Sequence, residues 1–241
     1  PSLKMKALIF AAGKGTRLKP FTDHHPKALA RVNGVPLLER NIKYLQSYGI
    51  NDFVINIFHF GEQIVEFLKE HDHFGANIEI SDEKDQLLET GGGLVFARRF
   101  LDDGEDFLIL NADILTDLNI TEFVEYHQEK KDFATLAVSD RKSSRKLLFN
   151  PEMVLRGWVN VETGEQRLAE FNKGFKPLAF SGIHCMNPAI FGKIKRTGKF
   201  SIMEEYLDLM HTEKIHGFEH QAKLIDVGRP ESIVEAEKYF K

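Results

Sequence analysis

The chain has 241 residues, 42% of them hydrophobic and 28% charged, with a formal net charge of −4. That composition excludes a disordered or collagen-like chain, and the mild acidity argues against a general nucleic-acid or anionic-membrane binder. The length allows one large α/β domain or two small ones, with enough apolar surface for a sizeable core.

The predicted elements run in a regular order. Residues 7–10 form a short buried strand that ends in a loop over 11–20. Residues 37–48 are helical, with Leu38, Ile42 and Leu45 on one stripe and Gly49 as terminator. A strand over 53–57, an amphipathic helix around 64–68 and a strand through Ile78 and Ile80 follow. A helix over 93–100 leads to an apolar strand, 107–110, which runs into Asn111-Ala112-Asp113. A helix over 118–130 and a strand over 133–138 complete the alternation, which predicts a parallel sheet covered on both faces.

Beyond Asp140 the runs 147–149, 153–160 and 166–171 are short and separated by turn residues, as in an antiparallel ribbon layered on the sheet. Residues 180–186 return to an apolar strand. Ser201, with Glu204 three positions on, has capping-box spacing for a helix over 201–211. A strand over 224–227 and a helix opened by Pro230 close the pattern. The fold class expected is α/β, with a mixed, mostly parallel central sheet flanked by helices and a small antiparallel β layer.

Charge is unevenly placed along this order. Residues 1–31 hold Lys4, Lys6, Lys14, Arg17, Lys19, Lys27 and Arg31 against Asp23 alone, so this stretch is +6 and the remainder −10. A solvated basic face is one reading and an anion met by the N-terminal segment the other. Cys185, the one cysteine, excludes an intrachain disulfide and a Cys-ligated zinc site, and fits a reducing, cytoplasmic compartment. The apolar run 7–12 is too short for a signal-peptide core, and no stretch approaches the ~18 apolar residues of a membrane span.

The loop after the first strand reads Ala11-Ala12-Gly13-Lys14-Gly15-Thr16-Arg17-Leu18, with Pro26-Lys27 downstream. Glycines let backbone amides approach an anion, Arg17 offers a planar fork for phosphate oxygens, and Lys27 a mobile point charge. The dinucleotide fingerprint fails because Leu18 takes the third glycine's place, which disfavours a nicotinamide-dependent dehydrogenase, and the G-x-x-x-x-G-K-[ST] loop fails as well.

These residues resemble the N-terminal signature of the sugar-1-phosphate nucleotidyltransferases. The resemblance continues in order through Pro36-Leu37-Leu38-Glu39, Glu89-Thr90-Gly91-Gly92-Gly93, Asn111-Ala112-Asp113, Ser181-Gly182-Ile183 and Asp226-Val227-Gly228. Glu-Thr-Gly-Gly-Gly looks like the small bacterial branch that makes UDP-N-acetylmuramic acid, and also approaches guanylyl-transferring relatives. The resemblance implies a Rossmann-like fold in a single domain over 1–241, with 1–139 binding nucleotide and 140–241 binding sugar. It implies transfer of a nucleoside monophosphate from an NTP to a sugar 1-phosphate, with UTP and N-acetylmuramate 1-phosphate as the expected pair. GTP with mannose or heptose 1-phosphate is the alternative, and a catalytically silent nucleotide-sugar sensor a further one.

Carried over by residue, Arg17, Lys27 and Asp113 are the expected catalytic groups. Ala11, Ala12, Gly13, Gly15 and Thr16 form the expected phosphate loop, Glu89, Thr90 and Gly91 lie near the base and sugar, and Gly182 near the hexose. Asp113, after an apolar strand, and Asp226, on a second short strand, are the expected ligands of Mg²⁺. A turn cap at Asp113 and a surface edge at Asp226 are the plain alternatives. The glycine triplet is expected to precede a helical run and to give close backbone approach to a flat ligand or to the helix N-terminus, with a flexible turn as the plain alternative. The expected partners are these two substrates, without nucleic acid or membrane, and with homo-oligomerisation left open.

Other motifs are less specific. Glu170-Phe171-Asn172-Lys173-Gly174 only partly matches the family's Glu-Lys-Pro motif. Arg141, Lys142, Arg145 and Lys146 are expected either to reach the sugar phosphate or to form a solvated hairpin tip. His71-Asp72-His73 reads as a polar loop, His24-His25 as neighbours of the nucleotide segment, and Cys185 as core. Larger relatives append a hexapeptide-repeat β-helix, and no such period occurs in this sequence.

Overall fold

Strand β1 (Lys6–Phe10) is flanked on both sides, which is why its middle three residues are fully buried. The computed structural model describes residues 2–241. After β1 the chain makes a small hairpin, β2 (Arg31–Val32) and β3 (Val35–Pro36), and enters helix α1 (Leu37–Gln46). Leu38, Ile42 and Leu45 bury the stripe expected of them. Strand β4 (Asp52–Ile57), helix α2 (Gly61–Glu70) and strand β5 (Asn77–Asp82) form the next unit. Helices α3 (Glu89–Phe96) and α4 (Arg98–Leu101) lead to β6 (Phe107–Asn111), β7 (Ile114–Thr116) and α5 (Ile120–Lys130).

The second part holds β8 (Ala134–Ser139), β9 (Arg145–Phe149), β10 (Leu155–Asn160), β11 (Gln166–Leu168) and β12 (Lys176–Met186). Helix α6 (Ile202–Leu209), strands β13 (His216–Glu219) and β14 (Leu224–Asp226) and helix α7 (Pro230–Tyr239) follow.

In the central sheet β5, β4, β1 and β6 run parallel, with Ile9 opposite Ile55 on one side and Leu110 on the other. β12 is antiparallel to β6 and to β8, and β13 is parallel to β8. The sheet is therefore mixed and mostly parallel. Alternate residues feed two apolar layers. Ile9, Ile55 and Leu110 pack with Ile42 and Phe123 on one face, and Leu8, Val54 and Ile109 with Leu136 and Tyr206 on the other. Fully burying one such side chain contributes about 1.5–3 kcal/mol.

β12 is longer than the apolar run 180–186 predicts, because it serves two sheets. Its first residues pair with β9, which carries β10 and β11 antiparallel beside it, and its last residues pair with β6. Gly182, at φ 74°, marks the irregularity between the two halves. This ribbon is the expected antiparallel layer.

Two local expectations are corrected. The glycine triplet does not precede its helix but lies within the first turns of α3, where all three glycines are buried. Ser201 caps α6 by accepting the Met203 amide at 3.3 Å, but Glu204 does not close a capping box, since its carboxylate takes Arg167 at 2.6 Å. Among the described residues no helix is long and apolar enough to cross a membrane.

Candidate active site

The C-terminal ends of β1, β4 and β6 open on one cleft of about 390 Å³. Ala11, Ala12 and Gly13 form one wall, Asn111, Ala112 and Asp113 another, with Asn56 between and Leu87, Glu89, Thr90 and Ser201 opposite. In an open parallel sheet this edge is where ligands bind, because the loops leaving adjacent strands splay apart there.

Gly15 explains why the glycine loop and the downstream Pro-Lys come together. It sits at φ 61°, and a Cβ there would lie 2.8 Å from Thr22 Cγ2 and 2.9 Å from Lys27 Cβ. Only a residue without a side chain lets the loop close this tightly. The Gly15 carbonyl accepts the Thr22 hydroxyl at 2.7 Å. Pro26 leads into a single 3-10 turn, Lys27–Leu29, and Lys27 Nζ reaches the Asp113 carboxylate in the cleft. Each of these two side chains keeps 19% exposure, so the pair is accessible from the cleft.

Asp226 is brought up by pairing of β14 with β7, in which it stands opposite Ile114, while the Val227 amide donates to the Asp113 carbonyl at 2.8 Å. Two aspartates 113 positions apart are thus fixed on adjoining backbone. Burial and the charge of Asp113 push the Asp226 carboxyl up from its ordinary range, while Lys27, Arg17 and Arg141 pull it back. Arg17 and Asp226 flank Gly228, where a Cβ would stand 2.8 Å from both Arg17 Nη2 and Asp226 Oδ1. Among the described residues no group of three or more His, Cys, Asp or Glu side chains is placed to hold a metal.

Of the residues singled out from the sequence, Ala11, Ala12, Gly13, Lys27, Glu89, Thr90 and Asp113 line this cleft. Arg17 and Asp226 stand beside it, and Gly15 and Thr16 form the turn behind it. Gly91 is not open to a flat ligand. Its Cβ position is filled by the Phe200 ring at 2.2 Å and its amide donates to the Phe200 carbonyl. Gly92 abuts the Gly198 carbonyl and Gly93 abuts Glu83 and Asn56, so the triplet lets α3 pack rather than a ligand enter. Gly182 likewise lies against Asn111, with 2.9 Å from its Cβ position to Nδ2, and shapes the cleft wall from behind. Thr90 Oγ1 accepts the Ile202 amide at 2.9 Å and ties α3 to α6.

Sequence reasoning passed over Asn56 and Glu83, and quoted Asn111 in the Asn111-Ala112-Asp113 motif without a role of its own. Asn56 Oδ1 accepts the Ala11 amide at 2.7 Å and its Nδ2 donates to Glu83, which is 5% exposed. Burial pushes the Glu83 carboxyl up, against hydrogen bonds from the Leu88 amide and Asn56 that favour its ionised form. The available signal was an asparagine inside or ending an otherwise apolar strand, at 56 and at 111.

The basic cluster divides. Arg141, Arg145 and Lys146 line a second cavity of about 660 Å³ together with Trp158, Phe180 and Asp226, while Lys142 lies outside it. His25 meets Gln63 at 3.0 Å, away from the cleft, and His71 meets the Phe67 carbonyl at 2.8 Å. Cys185 is buried, which pushes its thiol up and leaves it a core residue. Glu170 pairs with Arg156.

This architecture is a Rossmann-like α/β nucleotidyltransferase fold. The chain belongs to the nucleotidyl transferase family, whose sequence profile matches residues 6–240, and is a transferase of that family. It is 32% identical over 226 residues to the N-acetylmuramate alpha-1-phosphate uridylyltransferase of Neisseria meningitidis serogroup B, covering 93% of each chain. It is 27% identical over 238 residues to the mannose-1-phosphate guanyltransferase of Yarrowia lipolytica, covering 95% of this chain and 62% of that protein. HddC from Yersinia pseudotuberculosis, solved in complex with GMP-PN, superposes with a TM-score of 0.80 at 21% identity, over 98% of this chain and 100% of that one.

Proposed function

We propose that the chain transfers a nucleoside monophosphate from an NTP to a sugar 1-phosphate, giving a nucleotide sugar and pyrophosphate, with UTP and N-acetylmuramate 1-phosphate as the substrates. The observation that carries this reading is the Lys27–Asp113 pair in the cleft, with Arg17 and Asp226 beside it. In the reaction a phosphate oxygen of the sugar 1-phosphate attacks the α-phosphorus of the NTP. The bond from that phosphorus to the bridging oxygen breaks, and pyrophosphate leaves with the electron pair.

Such a displacement needs positive charge where negative charge accumulates on the departing phosphates. Arg17 supplies it at the loop, with a fork suited to two oxygens. Lys27, held by Asp113 in the free chain, turns its ammonium to the triphosphate once that carboxylate has another partner. The donor set of Asp113 and Asp226 fits a hard divalent cation such as Mg²⁺. It offers two carboxylates, close enough for the charge of one to raise the other's pKa, and substrate phosphates would complete the shell. When bound, Mg²⁺ supplies charge neutralisation and polarisation of the phosphate oxygens. The lone buried thiol suits a cytoplasmic setting.

Similarity to the mannose-1-phosphate guanyltransferases over 95% of this chain supports GTP with mannose or heptose 1-phosphate as the second reading. Pyrophosphate release over a grid of nucleoside triphosphates and sugar 1-phosphates with Mg²⁺ separates them. Release is expected with UTP and N-acetylmuramate 1-phosphate. Release confined to GTP and mannose 1-phosphate supports the second reading, and none in any pair refutes both. Asp113→Asn should lower the rate by about 100-fold or more without unfolding the chain.

A further inference from the structure

Helix α1 buries Leu37, Leu38, Asn41, Ile42 and Leu45, so one amide stands in an otherwise apolar row. Only 2% of Asn41 is exposed. An amide taken out of water costs free energy unless it is hydrogen-bonded. Asn41 Nδ2 donates to the Ala112 carbonyl at 2.8 Å, a partner 71 positions away. One turn further along the same helix, the Tyr44 hydroxyl donates to the Leu118 carbonyl at 2.5 Å. Helix α1 thereby buttresses the segment between β6 and α5. Asn41 is not among the residues that line the cleft; it faces a separate cavity of about 400 Å³ with Tyr44, Leu115 and Thr116.

What Asn41 holds is the turn that presents Asp113. Between β6 and β7, three successive peptide groups are each fixed from a different element. The Ala112 amide donates to the Phe10 carbonyl of β1 at 3.0 Å, and the Asp113 carbonyl accepts the Val227 amide, just beyond β14, at 2.8 Å. The peptide group between them joins Ala112 to Asp113, and its carbonyl is the one that Asn41 takes. Of the three, this is the group fixed by a side chain rather than by backbone. A peptide group is planar, so fixing the direction of its C=O also fixes the N–Cα bond that opens Asp113. The direction of the Asp113 side chain, which meets Lys27 in the cleft, follows from that bond.

We propose that Asn41 is a positioning residue for Asp113, aiming its carboxylate into the cleft from outside it. The proposal rests on the nucleotidyl-transfer reading, in which Asp113 is one of two carboxylates suited to a divalent cation. Asparagine meets the requirement because its short side chain carries an NH₂ donor. A leucine at 41 would continue the apolar row and leave the Ala112 carbonyl unmet. An ionised aspartate would keep the shape and offer no donor. Hydrogen bonds of this kind, one step behind a ligating group, typically control about 10–100-fold in metal affinity or activity.

Calorimetric binding of UTP and of GTP to the intact chain, each with Mg²⁺ and with EDTA and without acceptor, tests the proposal. The nucleotide that the wild type binds more tightly carries the comparison. The wild type should bind it better with Mg²⁺, and Asp113→Asn should remove most of that difference. Asn41→Leu should lower the affinity measured with Mg²⁺ by about 10–100-fold and leave the affinity in EDTA unchanged. Asn41→Asp should repeat the loss, and it carries the test if circular dichroism shows Asn41→Leu unfolded. Asn41→Gln, which keeps the donor, should recover part of the affinity. Equal wild-type affinity with Mg²⁺ and EDTA, equal losses under both conditions, or no loss in the variants without a donor overturns the proposal. Pyrophosphate release, measured in parallel, keeps the two readings apart. Wild-type turnover with no Mg²⁺-linked loss in the variants removes the positioning role and leaves the transfer reading. The Mg²⁺-linked loss without wild-type turnover in any substrate pair removes the transfer reading alone.

Discussion

Asn56, near the end of β4, holds the first residue of the glycine loop: its Oδ1 accepts the Ala11 amide at 2.7 Å while its Nδ2 donates to Glu83 at 3.1 Å. One buried side chain thereby sets the spacing between the phosphate loop, the neighbouring strand and the start of α3, since Glu83 in turn accepts the Leu88 amide.

Asn56→Ala should therefore cost about 1–3 kcal/mol of stability, because a buried amide and a buried carboxylate each lose a partner. It should also raise KM for the nucleoside triphosphate, since the loop loses its anchor. Urea unfolding and initial rates would check both, and an unchanged midpoint with unchanged KM would refute the anchoring role.

The glycine triplet makes a separate claim on stability. A Cβ at Gly92 would stand 2.1 Å from the Gly198 carbonyl, a backbone atom, whereas nothing lies within 4 Å of one at Gly13. Gly92→Ala is expected to destabilise by about 1–3 kcal/mol through overpacking. Gly13→Ala should shift stability by less than about 0.5 kcal/mol. Denaturation midpoints for the two variants supply the comparison, and equal effects would contradict it.

Gly228 tests the site without testing the core. The nearest atoms to a Cβ there are the side-chain ends of Arg17 and Asp226, each at 2.8 Å. Gly228→Ala should displace both, lowering kcat by about 10–100-fold, as misplacement by an ångström does. Its melting temperature should stay near that of the wild type. A large loss of stability with normal turnover of the folded fraction would reverse the assignment.

A buried histidine controls acid stability. His184 shares a 2.5 Å hydrogen bond with the Tyr206 hydroxyl, and burial lowers its pKa from 6.5 to about 3. The unfolded chain takes up this proton before the folded one does. Its contribution is thus complete above pH 6.5 and is lost as the pH falls toward 3, with a slope approaching 1.4 kcal/mol per pH unit, an order-of-magnitude figure of about one proton. His184→Gln should flatten the pH dependence of unfolding in that window. An unaltered slope across urea titrations at several pH values would refute it.

Much of this architecture is legible in local sequence. The apolar runs at 53–57 and 107–110 became β4 and β6, and the stripe of Leu38, Ile42 and Leu45 became the buried face of α1, because period and burial are local properties of the chain. Contacts between distant segments follow no such period. The extra length of β12 was missed because it opens with Lys176-Pro177, which interrupts the apolar run, and its first residues find their partners only in β9. The packing of the glycine triplet was hidden for the same reason, since Phe200 and Gly198, which fill its surface, are more than a hundred positions away.

The excess of +6 over the first 31 residues, the glycine loop and the downstream lysine are properties of the sequence by itself. Apolar periodicity along the chain set the order of strands and helices, and the sequence motifs marked the family to which the chain belongs. Tertiary structure decided which of these charges meet. Lys27 turns inward to Asp113 because Gly15 lets the loop close on its stem, and Asp226 joins them because β14 pairs with β7. It also separated Arg167, neutralised by α6, from Arg145, which is left facing the second cavity. A one-dimensional pattern records the sign of a charge, but its partner depends on strand pairing, which folds residues far apart in sequence onto one surface.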